Sequence, residues 1–152
     1  MESKVRVVDT QLLMGSLLEL VEQGDTVPLV ISGNSMSPFL IHHRDTVYLS
    51  KPTRPLEKGD MILYRRRNGS FVLHRICKVR EGSFDLVGDA QTDIETGIGP
   101  DQVLALVTAV RRKGKLLQEN SFWWRFFRRI WLRLIPFRHG ILKFYTFARR
   151  KR

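Results

Sequence analysis

Two apolar runs, residues 60–65 and 70–79, flank the tetrad Arg66-Arg67-Asn68-Gly69. Asn-Gly readily adopts the positive φ angles of a tight two-strand turn, so the stretch predicts a β-hairpin. A lone hairpin cannot bury its own apolar side, so further strands must join it. Suitable runs are present at 27–31, 46–50, 84–87 and 103–111, the last apolar on both faces through Leu104-Ala105-Leu106-Val107. Turn signals separate them at Gly24-Asp25, Pro52, Pro55 and Glu81-Gly82-Ser83. Residues 90–100 read as an irregular loop. Many short strands with little helix predict a mainly β, partly closed sheet. Before it, residues 10–23 predict a helix, with Leu13, Leu17, Leu20 and Val21 at helical spacing.

Charge divides the chain. The net charge is +11, yet residues 121–152 carry ten Lys/Arg and no acidic residue, leaving sixteen basic against fifteen acidic residues in 1–120. The basicity belongs to a C-terminal segment. Residues 122–135 predict an amphipathic helix, with Arg125, Arg128, Arg129 and Arg133 on one side. Trp123, Phe126, Phe127, Ile130, Trp131 and Leu134 fall on the other. Pro136 breaks it, and residues 141–147 add a second aromatic-rich piece before a basic end. The expected organisation is a catalytic domain over 1–120 and a basic, aromatic segment over 121–152. That segment is expected to bind a membrane surface, the alternative being a helix packed on its own domain. Nucleic acid is not an expected partner, because the basic side backs onto a greasy one rather than onto a stacking platform. No uncharged run approaches the roughly 20 residues of a spanning helix, and residues 1–8 lack the apolar core of a signal peptide. The expected location is peripheral to a membrane, with a cytoplasmic location as the alternative.

One cysteine, Cys77, excludes an internal disulfide, and with four scattered histidines it makes no metal-ligand spacing. Neither metal nor cofactor is expected. The run 27–31 leads into Ser32-Gly33-Asn34-Ser35-Met36-Ser37-Pro38. A serine on a tight turn at a strand end is exposed and locally fixed, as a nucleophile must be, although Gly-Asn-Ser is also ordinary turn chemistry. In the hairpin's second strand Val72, His74 and Ile76 share one face, and Leu73, Arg75 and Cys77 the other. His42 and His43 sit in a polar turn and read as solvated loop residues, and Arg65-Arg66-Arg67 as a solvated charge run.

Four blocks in order, Ser32-Gly33-Asn34-Ser35-Met36-Ser37-Pro38, Gly59-Asp60 with its strand, His74-Arg75-Ile76, and Gly88-Asp89, resemble the type I signal peptidase family over roughly residues 27–110. The self-cleaving SOS-response repressors are its distant relatives. A His where the common bacterial branch has Lys makes the chain similar to the family's Ser–His branch. The resemblance implies a serine endopeptidase that cleaves an extended signal or leader peptide after small residues. It implies Ser35 as nucleophile, His74 as base, and Asp89 or Asp93 as the group that orients the imidazole. A base with an unperturbed pKa near 6.5 would give a pH–rate limb near neutrality. A soluble relative processing a dedicated peptide, and a non-catalytic peptide-binding module, are the alternatives. Self-cleaving repression is not expected, since about thirty residues before Ser35 leave no room for a helix-turn-helix domain.

Overall fold

A computed structural model describes the backbone of residues 2–151 and the side chains of residues 12–151. The hairpin forms where Asn-Gly predicts it. Strand β3 (Met61–Arg65) pairs antiparallel with β4 (Phe71–Arg80), with Leu63 opposite Leu73. The Arg66 N–H donates to the Ser70 carbonyl at 2.9 Å, and Gly69 takes the turn's positive φ of 91°. Around it lie β1 (Val27–Val30), β2 (Thr46–Ser50), β5 (Ser83–Val87), β6 (Glu95–Ile98), β7 (Val103–Arg112) and β8 (Lys115–Leu117). The sheet order is β1-β2-β7-β3-β4-β5-β6, with β8 paired to β7, and every pairing is antiparallel. The architecture is mainly β, as expected. The sheet is open: β1 ends it at one side and β6 at the other. Strand β6 occupies part of the stretch expected to be irregular.

Side-chain alternation builds two cores from one sheet. Met61, Leu63, Val47, Leu49, Ala105 and Val107 join Met36, Phe39 and Leu40 in the larger one. Ile62, Tyr64, Ile76, Leu86, Ile98 and Leu106 form the smaller one on the other face. This is why β3 is buried at four consecutive residues, Met61 to Tyr64. Helix α1 (Glu2–Glu22) covers the larger core through Met14, Leu17 and Val21. Of the four residues expected to face inward, Leu17 and Val21 do, whereas Leu13 and Leu20 are 61% and 42% exposed and Met14 extends the buried stripe instead.

Part of the C-terminal segment 121–152 packs on the rest of the chain, the alternative to a membrane contact. Helices α2 (Phe122–Arg125) and α3 (Trp131–Arg133) are joined by a π-helical stretch, Phe126–Ile130. The face turned to the domain carries Trp124, Phe127 and Trp131, all in the larger core, with Leu132 buried beside them. Phe127 and Trp131 therefore do not face a bilayer. Arg128, expected on a solvated face, donates to Asp60 at 2.7 Å and to Glu57 at 3.0 Å. A Cβ at Gly59, where φ is +97°, would stand 2.5 Å from Arg128 Cγ, so the helix seats on a turn that only glycine permits. Helix α4 (Arg138–Arg150) follows and is mostly exposed.

Candidate active site

Ser35 lies in the turn after β1. Two contacts within the loop set that turn: the Gly33 N–H donates to His42 Nδ1 at 2.7 Å, and the His43 N–H to the Ile31 carbonyl at 2.8 Å. His42 is thus a strut of the Ser35 turn, a role its sequence gave no sign of. A third contact comes from the Gly88-Asp89 block, where the Ala90 N–H donates to the Ser35 carbonyl at 2.9 Å. A Cβ at Gly88 would lie 2.5 Å from the same carbonyl oxygen. The block is glycine-bearing because the two loops approach that closely. Among the described residues the Ser35 N–H makes no hydrogen bond, which leaves it open to an oxyanion.

His74 is 4% exposed, in β4. Its Nδ1 lies 3.3 Å from the Tyr64 hydroxyl, which itself donates to Glu95 Oε2 at 3.0 Å. A phenol has one proton. With that proton directed at Glu95, the phenolic oxygen can only accept, so Nδ1 carries the ring proton and the Nε2 lone pair is the base. Arg66 Nε holds Glu95 at 3.0 and 3.1 Å. Burial first, and the positive field of Arg66 second, push the His74 imidazole down to about 4, against the opposing pull of Glu95 and Asp89. Burial and the Glu95 carboxylate push the Tyr64 phenol up, which keeps its proton in place.

Among the described residues neither aspartate makes a hydrogen bond to His74. Asp89 is fully buried and takes both oxygens to Arg75, at 2.9 Å from Nε and 2.9 Å from Nη2. Asp93 is exposed on the rim of a pocket of about 350 Å³ that also includes Arg66, His74, Glu95 and His139. Among the described residues Asp93 makes no hydrogen bond to His74. The chain His74–Tyr64–Glu95 stands where a His–Asp pair was expected. Tyr64 was within reach of sequence reasoning: the hairpin register pairs Ile62 with His74 and Tyr64 with Val72, so both side chains share a face. Glu95 was not, because it arrives through the β5–β6 pairing, with Leu86 opposite Glu95.

Ser35 and His74 are brought to the same loop, Gly88-Asp89-Ala90, without direct contact. Among the described residues no hydrogen bond joins Ser35 Oγ to the imidazole. Their relation follows from the sheet. Four antiparallel pairings separate β1 from β4, so the two strands run the same way in the sheet; Ser35 follows the C-terminal end of β1, and His74 lies in the first half of β4. β1 has a partner on one side only. β4 pairs with β5 only from Arg75 onward, so residues 71–74 also have an unpaired edge. Between these strands runs a groove of about 420 Å³ lined by Leu29, Val30, Ile31, Leu63, Phe71 and Leu73, among others. For strands so far apart in the sheet order to share a groove, the sheet must curl. Among the described residues no group of three His, Cys, Asp or Glu side chains is placed to hold a metal.

A family model described as Peptidase S24-like matches residues 4–98, a span that contains Ser35, His74, Asp89 and Asp93. No curated protein matches the chain.

Proposed function

The chain belongs to the peptidase S24-like family, and from that premise we propose that it is a serine endopeptidase of the signal-peptidase kind, acting on an extended signal or leader peptide. The groove carries this reading. It has an unpaired strand edge on each side and apolar walls; β1 leads from it through Ser32 to the Ser35 turn, and Leu73 on its wall is the chain neighbour of His74, whose side chain turns to the other face of β4. An extended peptide laid there gains main-chain hydrogen bonds to β1 and to residues 71–74, and seats alternate side chains against Leu29, Leu63 and Leu73.

In the proposed reaction Ser35 Oγ attacks the scissile carbonyl carbon as His74 Nε2 takes its proton. The tetrahedral oxygen faces the Ser35 N–H. Collapse breaks the C–N bond, the imidazolium returns its proton to the leaving amine, and water then hydrolyses the acyl-serine by the same base. Tyr64 and Glu95 hold the ring in the tautomer that leaves Nε2 unprotonated. Substrate seating must close the Ser35–His74 gap, as active sites commonly tighten on binding.

A non-catalytic peptide-binding module is the second reading, and the missing Ser35–His74 hydrogen bond is what favours it. Incubation of the full chain with a library of unstructured peptides, read by mass spectrometry, separates the two. The proposal expects cleavage products from wild type and a loss of several orders of magnitude in both Ser35→Ala and His74→Ala. Cleavage by Ser35→Ala at the wild-type rate would remove Ser35 from the chemistry. Binding without cleavage by wild type would establish the module.

A further inference from the structure

Helix α4 leaves one face without a partner. Phe137, just before it, and Ile141, Phe144 and Ala148 recur at the spacing of a single helical stripe. Phe144 is 74% exposed, Phe137 64% and Tyr145 54%. The domain takes a different side of the helix: Leu142 packs against the larger core, and Arg138 is fully buried. Every formal charge from Ser121 onward is positive. The exposed cations of α4 are Lys143, Arg149 and Arg150, and none has a carboxylate partner among the described residues.

We propose that α4 lies in the plane of an anionic lipid surface, with Ile141 and Phe144 in the headgroup–acyl boundary and Lys143, Arg149 and Arg150 at the phosphates. Charge complementarity selects this occupant. An apolar stripe of aromatics beside cations alone suits negative headgroups over hydrocarbon, whereas a second copy of the chain would bring the same cations face to face. No helix among the described residues is long and apolar enough to cross a membrane, so the contact is in-plane. Outside α4, the Arg112 guanidinium sits 5.5 Å from the ring of Trp123, itself 46% exposed.

The attachment is rigid. Arg138 donates to the carbonyls of Gly88, Gln91 and Trp131 at 2.9, 3.0 and 3.0 Å, and His139 Nε2 lies 3.2 Å from Thr92 Oγ1. Docking α4 therefore fixes how the His74 pocket faces the bilayer. The binding does not depend on peptidase activity, and its test leaves that reading untouched.

Sedimentation of the full chain with vesicles of phosphatidylglycerol and phosphatidylcholine, against phosphatidylcholine alone, decides it. Wild type should bind the anionic vesicles and lose affinity as salt rises. Lys143→Gln/Arg149→Gln/Arg150→Gln should weaken binding on the order of a hundredfold, at roughly 1 kcal/mol for each cation removed. Ile141→Ser/Phe144→Ser should weaken it by at least about tenfold with little salt dependence. All five positions are exposed, so the circular dichroism spectra should match wild type. Equal binding by wild type and either variant would overturn the proposal. So would a concentration-dependent dimer abolished by Ile141→Ser/Phe144→Ser, which would give the stripe to a second copy.

Discussion

His74 shows how burial sets the working range of a base. With its imidazole pushed down to about 4, the ring is neutral at pH 7 and holds an open lone pair. The pH–rate profile should therefore stay flat from neutrality to about pH 5 and fall only near pH 4, well below the limb an unperturbed histidine would give. A limb near 6.5 would mean the site is wetter than its geometry. Stability follows with a definite sign. Between 6.5 and about 4 the unfolded chain binds a proton that the folded chain does not, so stability falls as pH falls through that window and levels off below it. The full difference corresponds to roughly 3 kcal/mol. His74→Gln should flatten that part of a chemical-denaturation series. Asp89 behaves otherwise. It belongs to Arg75, and Asp89→Asn leaves a buried guanidinium without its counter-charge, a loss of about 3–5 kcal/mol in urea titrations. Asp93→Asn should change stability little. Sequence order alone could not separate the two roles, because Gly88-Asp89 has the same place in the chain whichever residue its carboxylate meets.

The elements with the clearest local chemistry were the most legible. The hairpin was readable from Asn68-Gly69 and from alternation on both sides, and its register even placed Tyr64 beside His74. Strand β6 was not, because Glu-Thr-Gly-Ile lacks an apolar alternation and pairs only because β5 offers an edge. On the C-terminal helices the sequence showed two faces but not which one the domain would take. Tertiary contacts took one edge of the predicted apolar face, Phe127 and Trp131, together with Trp124, which neither predicted face includes. The groove between β1 and β4 was equally invisible, since it depends on the curl of the whole sheet. Its role can be tested through a single residue. Leu73 is half-buried on the groove wall. Leu73→Trp should obstruct an extended peptide and raise KM severalfold, with a smaller effect on kcat, because the indole stands beside the reacting groups rather than among them. An unchanged KM for an extended substrate would place the peptide elsewhere.

At the scale of the molecule, the larger core draws on side chains beyond residue 120. Trp124, Phe127, Trp131 and Leu132 are each no more than 5% exposed. Burying side chains of this size contributes roughly 1.5–3 kcal/mol apiece, so the four together approach the whole stability of an ordinary domain. Polar contacts add to the loss. Trp131 Nε1 donates to the Asp89 carbonyl at 2.7 Å, Arg128 shares the buried Asp60 with Arg54, and Arg138 holds the loop that touches Ser35. At Asp60 burial alone would raise the carboxyl, but Arg54, Arg128 and the Glu57 N–H outweigh it and hold the group below the usual carboxylate range. Removing Arg128 thus also weakens a charge balance at the Gly59 turn. Truncation after Asn120 should abolish cooperative unfolding in thermal or urea titrations, with exposed core surface binding a hydrophobic dye. Truncation after His139 keeps α2, α3 and the Arg138 contacts and removes the rest of α4, of which Leu142 packs against the core. That form should unfold cooperatively within about 1–2 kcal/mol of the full chain, because little of what it loses is buried. It should nonetheless lose vesicle binding. A cooperative, stable 1–120 fragment would show that the aromatic stripe rests on a finished domain rather than completing one.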